Sequence, residues 1–378
     1  MLAEKNKRLR NINNSTGSYC RRFFKNIYIE KYGAGHVKIS PCCISGAHDE
    51  IVDSVDFHTN EILVRQRQQS RDGIRVPECT ACWNREDQGF LSQRDTNQRH
   101  DAFKVELHSI EYNVSPICNA RCIICSSRFS SAWAQEDEQF GIPIDAGRKF
   151  GNVRSNSVDI DLDLSAVNSI YFNGGEPMLS PEPTDMLRRI LKAKGTLSNV
   201  AVSLNTNGSI MPDEETVTLW QQCRSLVLNF SIDACGQEFH YIRFPLQWSS
   251  VVNNLAGILD LKLPQVNLCV ATVVGIHNFL ELPVLHDWIL SVQDTHNLSW
   301  GLHPAFGPFG LNNISDALKD KIRSTPLSIK QTRFVRSFVD HPRSMPSETY
   351  WLDRLETIDQ RRGLDWRTSL PKLAQLLG

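Results

Sequence analysis

The chain has no surplus of either charge: 41 Lys and Arg stand against 42 Asp and Glu, a net charge of -1 over 378 residues. A protein whose whole surface grips nucleic acid needs Lys and Arg in excess on one face, so this balance gives no strong nucleic-acid signal. Long hydrophobic runs are missing as well. No apolar stretch approaches the roughly 20 residues that cross a bilayer, so no membrane contact is expected. The opening MLAEKNKRLRNINNSTG lacks the apolar stretch of a secretory signal, and the expected address is the cytoplasm. The 41% hydrophobic content suits one large domain plus a smaller one.

Cysteine is the residue in excess. The 11 cysteines stand at positions 20, 42, 43, 79, 82, 118, 122, 125, 223, 235 and 269, most of them in the first third of the chain. A large chain with an odd cysteine count and no export signal is poorly explained by a disulfide framework. Metal or cluster ligation explains it better.

Six β-rich runs recur from residue 103 onward: 103–115, 166–173, 199–207, 226–233, 266–274 and 298–304. Stretches with apolar residues at helical intervals separate them, as in PTDMLRRILKAKG and WSSVVNNLAGILDLKL. Alternation of this kind predicts an α/β fold, a partial (β/α)6 TIM-like barrel short of the eight units of a full one. The expected domains are a small Cys-rich amino-terminal auxiliary domain over 1–100, the barrel over 101–310, and a carboxy-terminal helical extension over 311–378. Asp159, Asp161 and Asp163, spaced by two, read as a solvated edge and are assigned no function.

Directly after the first of these six strands, CNARCIIC sets Cys118, Cys122 and Cys125 in a CxxxCxxC spacing. Soft thiolates packed this closely suit iron-sulfur clusters or zinc. A fourth ligand is missing nearby; three protein ligands leave a coordination position open for a substrate or cofactor.

With this loop the sequence resembles the radical S-adenosylmethionine (SAM) superfamily. The resemblance implies a 4Fe-4S cluster on Cys118, Cys122 and Cys125 whose fourth iron chelates SAM, and further motifs follow in the family's order, each at a strand end. In YFNGGEP, Asn173 is a candidate cofactor contact, Gly174 and Gly175 let the backbone approach a ligand, and Glu176 offers a carboxylate to the SAM ammonium. NTNG contributes Asn205 and Asn207, and SID contributes Ser231 and Asp233, toward the methionine and ribose portions. Arg243 resembles the family's arginine for the SAM carboxylate, and the segment at Val274 resembles the lining of adenine. Many members place an aromatic before the third cysteine, where this chain has Ile124. Cys235 is the candidate for returning a hydrogen atom to a product radical, and His303 for a base facing substrate.

Cys20, Cys42, Cys43, Cys79 and Cys82 form a second constellation, in which the CxxC at 79 and 82 is a chelating loop and the upstream thiols complete four ligands. Cys42 is preferred over Cys43 because Pro41 fixes the backbone before it. CTACWNREDQGFLSQR, through Trp83, Glu86, Gly89, Ser92 and Arg94, resembles the twitch module, a shortened form of the auxiliary-cluster domain SPASM, in a subgroup that carries it ahead of the barrel. The ending LETIDQRRGLDWRTSLPKLAQLL also resembles that subgroup.

The resemblance implies SAM, two iron-sulfur clusters, a peptide or small-molecule substrate, and a flavodoxin or ferredoxin-type electron donor. The competing reading is a zinc-binding scaffold, or an RNA-binding protein without SAM cleavage, supported by the basic run Lys5, Lys7, Arg8, Arg10. Cys223 and Cys269 are expected in the core.

Overall fold

The computed structural model describes residues 17–32, 36–45, 54–89, 91–96, 103–144, 159–293, 298–327, 329–340, 345 and 349–377. The basic run at Lys5 to Arg10 lies outside the described residues.

Ten strands are described: β1 (Asn26–Tyr32), β2 (His36–Ser40), β3 (Ser54–Val55), β4 (Ser109–Asn113), β5 (Asp159–Ile160), β6 (Ser169–Asn173), β7 (Ala201–Thr206), β8 (Ser225–Ser231), β9 (Val266–Val274) and β10 (Leu298–Pro304). Eight of them form one sheet in the order β10-β9-β8-β7-β6-β4-β1-β2. Pairing is parallel for β1 with β4, β4 with β6, β8 with β9 and β9 with β10, and antiparallel for β1 with β2. The mostly parallel sheet with helices between its strands is the expected partial barrel, and each of the six predicted runs overlaps one of its strands.

β1 and β2 were not legible as strands. In NIYIEKY, Ile27 and Ile29 are fully buried while polar side chains alternate with them, so half of the strand reads as surface. The short strands β3 and β5 pair apart from the main sheet; Asp159 lies in β5, and Asp163 caps the turn at Ser165 N at 2.9 Å, a structural use that fits its unassigned status.

The chain forms two compact units. One comprises 1–115, 145–203 and 214–225; the other comprises 116–144, 204–213 and 226–378. A small core of the first unit gathers Tyr19, Cys20, Phe23, Phe24, Val76, Cys79 and Trp83. In the second, Ile123, Trp133, Tyr241, Ile276, Phe309, Leu355 and Trp366 share one core, so the carboxy-terminal helices pack with the cysteine-loop segment instead of trailing from it. Those helices are Asp316–Ser324, Ile329–Val339, Tyr350–Arg362, Trp366–Ser369 and Pro371–Leu377. Gly363, at φ 62, ends the 350–362 helix in the left-handed conformation that glycine adopts without a Cβ penalty.

Candidate functional site

Cys122 is buried and Cys118 and Cys125 are half-buried in a loop whose backbone is closely specified. Cys118 N donates to Ser131 Oγ (3.1 Å), Cys125 N to Cys122 O (2.9 Å) and Ile123 N to Ile242 O (2.9 Å). Ser130, the N-cap of the helix Ser131–Gln139, also donates its hydroxyl to Ala120 O at 2.7 Å, and Trp133 Nε1 donates to Cys122 O at 2.8 Å. Every such bond fixes a backbone group of the loop, while Cys118 Sγ accepts from Ala120 N at 3.4 Å and Cys125 Sγ donates to Ser126 O at 3.7 Å.

Arg243 and Asp233 form a buried ion pair beside the loop. The Arg243 Nε and Nη2 reach one Asp233 oxygen at 2.8 and 2.7 Å, while the other oxygen accepts from Val273 N at 2.8 Å. Arg243 Nη1 stands 3.8 Å from Cys122 Sγ. Burial pushes the Cys122 thiol up and the Arg243 charge draws it back down; the Cys125 thiol is pushed up to about 12, mainly by burial. The guanidinium therefore supplies positive charge where thiolate charge would gather. The resemblance assigned Asp233 to the SAM ribose and Arg243 to the SAM carboxylate. In the structure both side chains are engaged with each other, Arg243 also with Cys122 of the loop and Asp233 with Val273 of β9.

Asn207 Nδ2 donates to Asn119 Oδ1 at 2.9 Å, and Asn119 Nδ2 donates to Ser209 Oγ at 2.9 Å, which ties the end of β7 to the cysteine loop. Gly208, at φ 74, cannot be replaced cheaply, because a Cβ there would stand 2.9 Å from Phe230 and Val251. Asn205 is half-buried on β7. Ser231 ends β8 and pairs with Ala271 of β9. Val274 is buried, and Asn278 pins the strand ends around it, donating to the carbonyls of Asp233 and Val273, both at 3.0 Å, and accepting from Gly275 N at 2.9 Å.

The glycine-rich turn belongs to the first unit. Asn113 pairs with Asn173 at the ends of β4 and β6, and Gly174 follows at φ 141, with Val114 so close that a Cβ would lie 2.9 Å from its carbonyl oxygen. Gly175 N faces Ser115 O at 3.4 Å. Glu176 is fully buried and caps the turn Pro177–Leu179 by accepting from Met178 N at 3.0 Å.

Cys235 is half-buried at the N-cap of the helix Gly236–Ile242. Its thiol is pushed up to about 12, first by burial and then by Glu238 and Glu281. His303 is exposed on β10, paired with Val273. Cys223 is buried as expected, whereas Cys269 is half-buried on β9 instead of in the core. Strand alternation puts Cys269 on the sheet face opposite the buried Leu268 and Val270, a distinction that hydrophobicity alone does not make.

In the first unit, Cys20, Cys42, Cys79 and Cys82 line one pocket together with Arg22, Phe23, Pro41, Trp83, Gln93 and Arg94. Cys79 ends the turn Pro77–Cys79, and Cys82 lies one turn further on the helix Thr80–Asp87, so the CxxC spacing puts both sulfurs on the same side. Cys42 lies just past β2. Cys43 is exposed, does not line the pocket, and its backbone N–H donates to Glu111 at 3.0 Å.

Of the residues of the recognised phrase, Trp83 and Arg94 line the pocket, and Glu86 and Ser92 brace Arg94 from outside it. Trp83 Nε1 donates to Val76 O at 2.8 Å, and the Arg94 guanidinium lies 4.7 Å from the Trp83 ring centroid. Glu86 accepts from Arg94 Nε at 2.9 Å and from Ser92 Oγ at 2.5 Å, and Gly89 turns the chain between them at φ 88. Arg94 Nη1 reaches back to Tyr19 O at 2.8 Å, next to Cys20. Burial pushes the Cys20 thiol up to about 12 and Cys42 adds to the rise, while Arg22 and Arg94 oppose it. A donor set of thiols alone, with apolar walls and two guanidiniums in reach, fits an iron-sulfur cluster chemically. As the side chains are placed, no three His, Cys, Asp or Glu residues among those described form a group that could hold a metal ion.

Several residues central to this geometry carry no local sequence signal. Glu136 and Arg354 are ordinary polar residues with partners far away in the chain: Glu136 is bonded to a residue 226 positions after it and Arg354 to one 229 positions before it. Only a folded chain brings them to the loop.

Among solved structures, the chain is similar to anSMEcpe with bound AdoMet, at 16% identity and a TM-score of 0.39, over 57% of this chain and 56% of that one. It is also similar to Streptococcus suis SuiB bound to S-adenosylmethionine, at 11% identity and a TM-score of 0.36, over 78% of this chain and 52% of that one. The matched part thus spans just over half the length of those chains. No curated protein matches the chain. A family model described as the Radical SAM superfamily matches residues 112–285, the stretch that carries the three-cysteine loop, the glycine-rich turn and the Asp233–Arg243 pair, and this match supports placing the chain in the radical SAM superfamily.

Proposed function

We propose that the chain is a radical SAM enzyme that acts on a peptide or small metabolite and carries a second, auxiliary iron-sulfur cluster. The observation that supports this most is the three-thiol loop with its backbone bonded in place and a buried guanidinium beside its central sulfur. Cys118, Cys122 and Cys125 would hold a 4Fe-4S cluster, and Cys20, Cys42, Cys79 and Cys82 the auxiliary one. When bound, cluster and SAM together supply a 5'-deoxyadenosyl radical that abstracts hydrogen from an unactivated carbon.

The chain's own residues contribute placement and charge. Arg243 offsets the negative charge of the thiolate ligands, and Asp233 fixes that guanidinium in turn. Gly174 and Gly175 are the proposed backbone contacts at the end of β6, and Glu176 is the proposed carboxylate there. Asn173, Asn205, Asn207, Ser231 and Val274 complete the proposed SAM contacts, through side chain or backbone. Cys235, whose burial favours the protonated thiol further, is the proposed hydrogen-atom donor, and His303 the proposed base. A flavodoxin or ferredoxin-type protein would deliver the electron.

Anaerobic reconstitution tests the reading. Roughly eight irons per chain and reductive formation of 5'-deoxyadenosine are expected. Tightly bound zinc without SAM cleavage would overturn it in favour of a scaffold. A Cys235→Ala variant should form 5'-deoxyadenosine yet fail to complete product; a normal product yield would remove Cys235 from the mechanism.

A further inference from the structure

The carboxy-terminal helix Tyr350–Arg362 has no part in the proposed SAM contacts, yet it is bonded directly to the cysteine loop. Arg354 Nη2 donates to Cys125 O at 2.7 Å and Arg354 Nε to Ile123 O at 3.3 Å. The next carbonyl back, Cys122 O, accepts from Trp133 Nε1 at 2.8 Å, and the Arg354 and Arg362 guanidiniums lie 4.9 and 4.6 Å from the Trp133 ring centroid. Three carbonyls of the loop, those of 122, 123 and 125, are thus served by side chains from outside it.

The helix itself is firmly held. Arg362 makes a two-pronged bond to Glu136 at 3.0 and 3.2 Å, with both side chains almost wholly buried, and Arg121 reaches the same carboxylate at 3.0 Å. Arg361 binds Asp137 at 2.8 Å. Asp359 accepts from Tyr241 Oη at 2.8 Å and from Trp366 N at 2.6 Å, while Leu355 and Ile358 are buried in the core. The spacing of 354, 358, 361 and 362 puts these contacts on neighbouring turns of one side of the helix.

We propose that Arg354 is a positioning residue for the cluster held by Cys118, Cys122 and Cys125, acting through the Ile123 and Cys125 carbonyls, and that the carboxy-terminal helix is thereby part of the catalytic centre. The inference rests on the reading of that loop as the cluster site. A planar guanidinium with two of its nitrogens on two carbonyls fixes the turn that carries the third cysteine. Its charge also sits on the backbone of the third cysteine, where it favours the added electron of the reduced cluster. The subgroup-like ending LETIDQRRGLDW acquires a physical purpose: it supplies the anchors Asp359, Arg361 and Arg362 that hold Arg354 on the loop.

The test uses full-length chain, reconstituted anaerobically, as wild type, Arg354→Met, Arg354→Lys and Arg361→Met. The readouts are the electron paramagnetic resonance (EPR) spectrum of the reduced cluster with and without SAM, its midpoint potential, and the rate of iron loss to a chelator. Arg354→Met should lower the potential, alter the SAM-dependent spectrum and lose iron roughly 10-fold faster, the lower end of what loss of an outer-shell partner costs in metal affinity. Arg354→Lys should restore the potential while iron loss stays fast, since one ammonium cannot serve both carbonyls. Arg361→Met removes one anchor of the helix and should shift the potential in the same direction as Arg354→Met, by less. If both Arg354 variants match wild type in spectrum, potential and iron retention, the inference is overturned while the proposed function stands. A wild type with no SAM-responsive cluster overturns both.

Discussion

The buried Asp233–Arg243 pair permits a quantitative test by Asp233→Asn. Asp233 has no exposed surface and the Arg243 side chain is 9% exposed. The substitution removes the charge that compensates the guanidinium. It also replaces one of two accepting oxygens with an NH2 group that must face either Arg243 or the Val273 N–H, donor against donor. Breaking one half of a buried pair costs about 3–5 kcal/mol, whereas an exposed pair contributes about 0–1 kcal/mol. The two cases are far enough apart for equilibrium urea unfolding, followed by tryptophan fluorescence under anaerobic conditions, to separate them. The double variant Asp233→Asn, Arg243→Met removes the orphaned charge as well and should be less destabilised than the sum of the single variants by about 1–3 kcal/mol. A loss below about 1 kcal/mol for Asp233→Asn, or simple additivity in the double variant, would refute the claim that the pair is a desolvated unit beside the cysteine loop.

His277 gives a pH dependence with a definite sign. It is buried, neither ring nitrogen has a hydrogen-bond partner, and burial first and Arg243 second lower its pKa from 6.5 to about 3. The unfolded chain takes up a proton near 6.5 and the folded chain does not, so stability falls as pH drops below 6.5, by about 2 kcal/mol between pH 7 and pH 5. In His277→Leu this part of the slope should vanish from denaturation curves taken across that range, and an unchanged slope would assign it to other groups. At the amino-terminal pocket, Cys42→Ser should lower the reconstituted iron from roughly eight toward roughly four per chain while Cys43→Ser leaves it unchanged. Equal loss from both variants would contradict the pocket geometry. Gly275→Ala would put a Cβ 2.4 Å from Phe309 O and should destabilise the chain by about 1–3 kcal/mol, read as a lowered thermal midpoint; an unchanged midpoint would show that the strand end yields easily.

Much of the site was legible because its chemistry is local. Three thiols within eight residues, a Gly-Gly-Glu turn and a CxxC all announce themselves over stretches of eight residues or fewer, since ligation and close backbone approach demand particular residue types at fixed spacing. The six barrel strands were legible for a similar reason: period-two and continuous apolar runs report burial directly. β1 was hidden because Asn26, Tyr28 and Glu30, which alternate with its buried isoleucines, read as surface. The phrase around Trp83, Glu86, Gly89, Ser92 and Arg94 could be recognised from sequence, but its reason could not. Only the fold turns it into a guanidinium stacked on an indole and clamped by a carboxylate at the edge of a thiol pocket.

By itself the sequence determined the α/β class, the absence of a long apolar run, and the identity of the soft ligands that the chain can offer. Tertiary structure decided how those ligands are served. It separated Cys42, which lines the pocket, from Cys43, which faces Glu111; it turned Arg243 onto Asp233 and Cys122; and it brought Arg354 to the carbonyls of a loop 229 residues away. The physical reason is the same in each case. A thiolate's capacity to bind metal belongs to the residue, whereas the burial, charge and hydrogen bonds that tune it come from groups that meet only when the chain is packed.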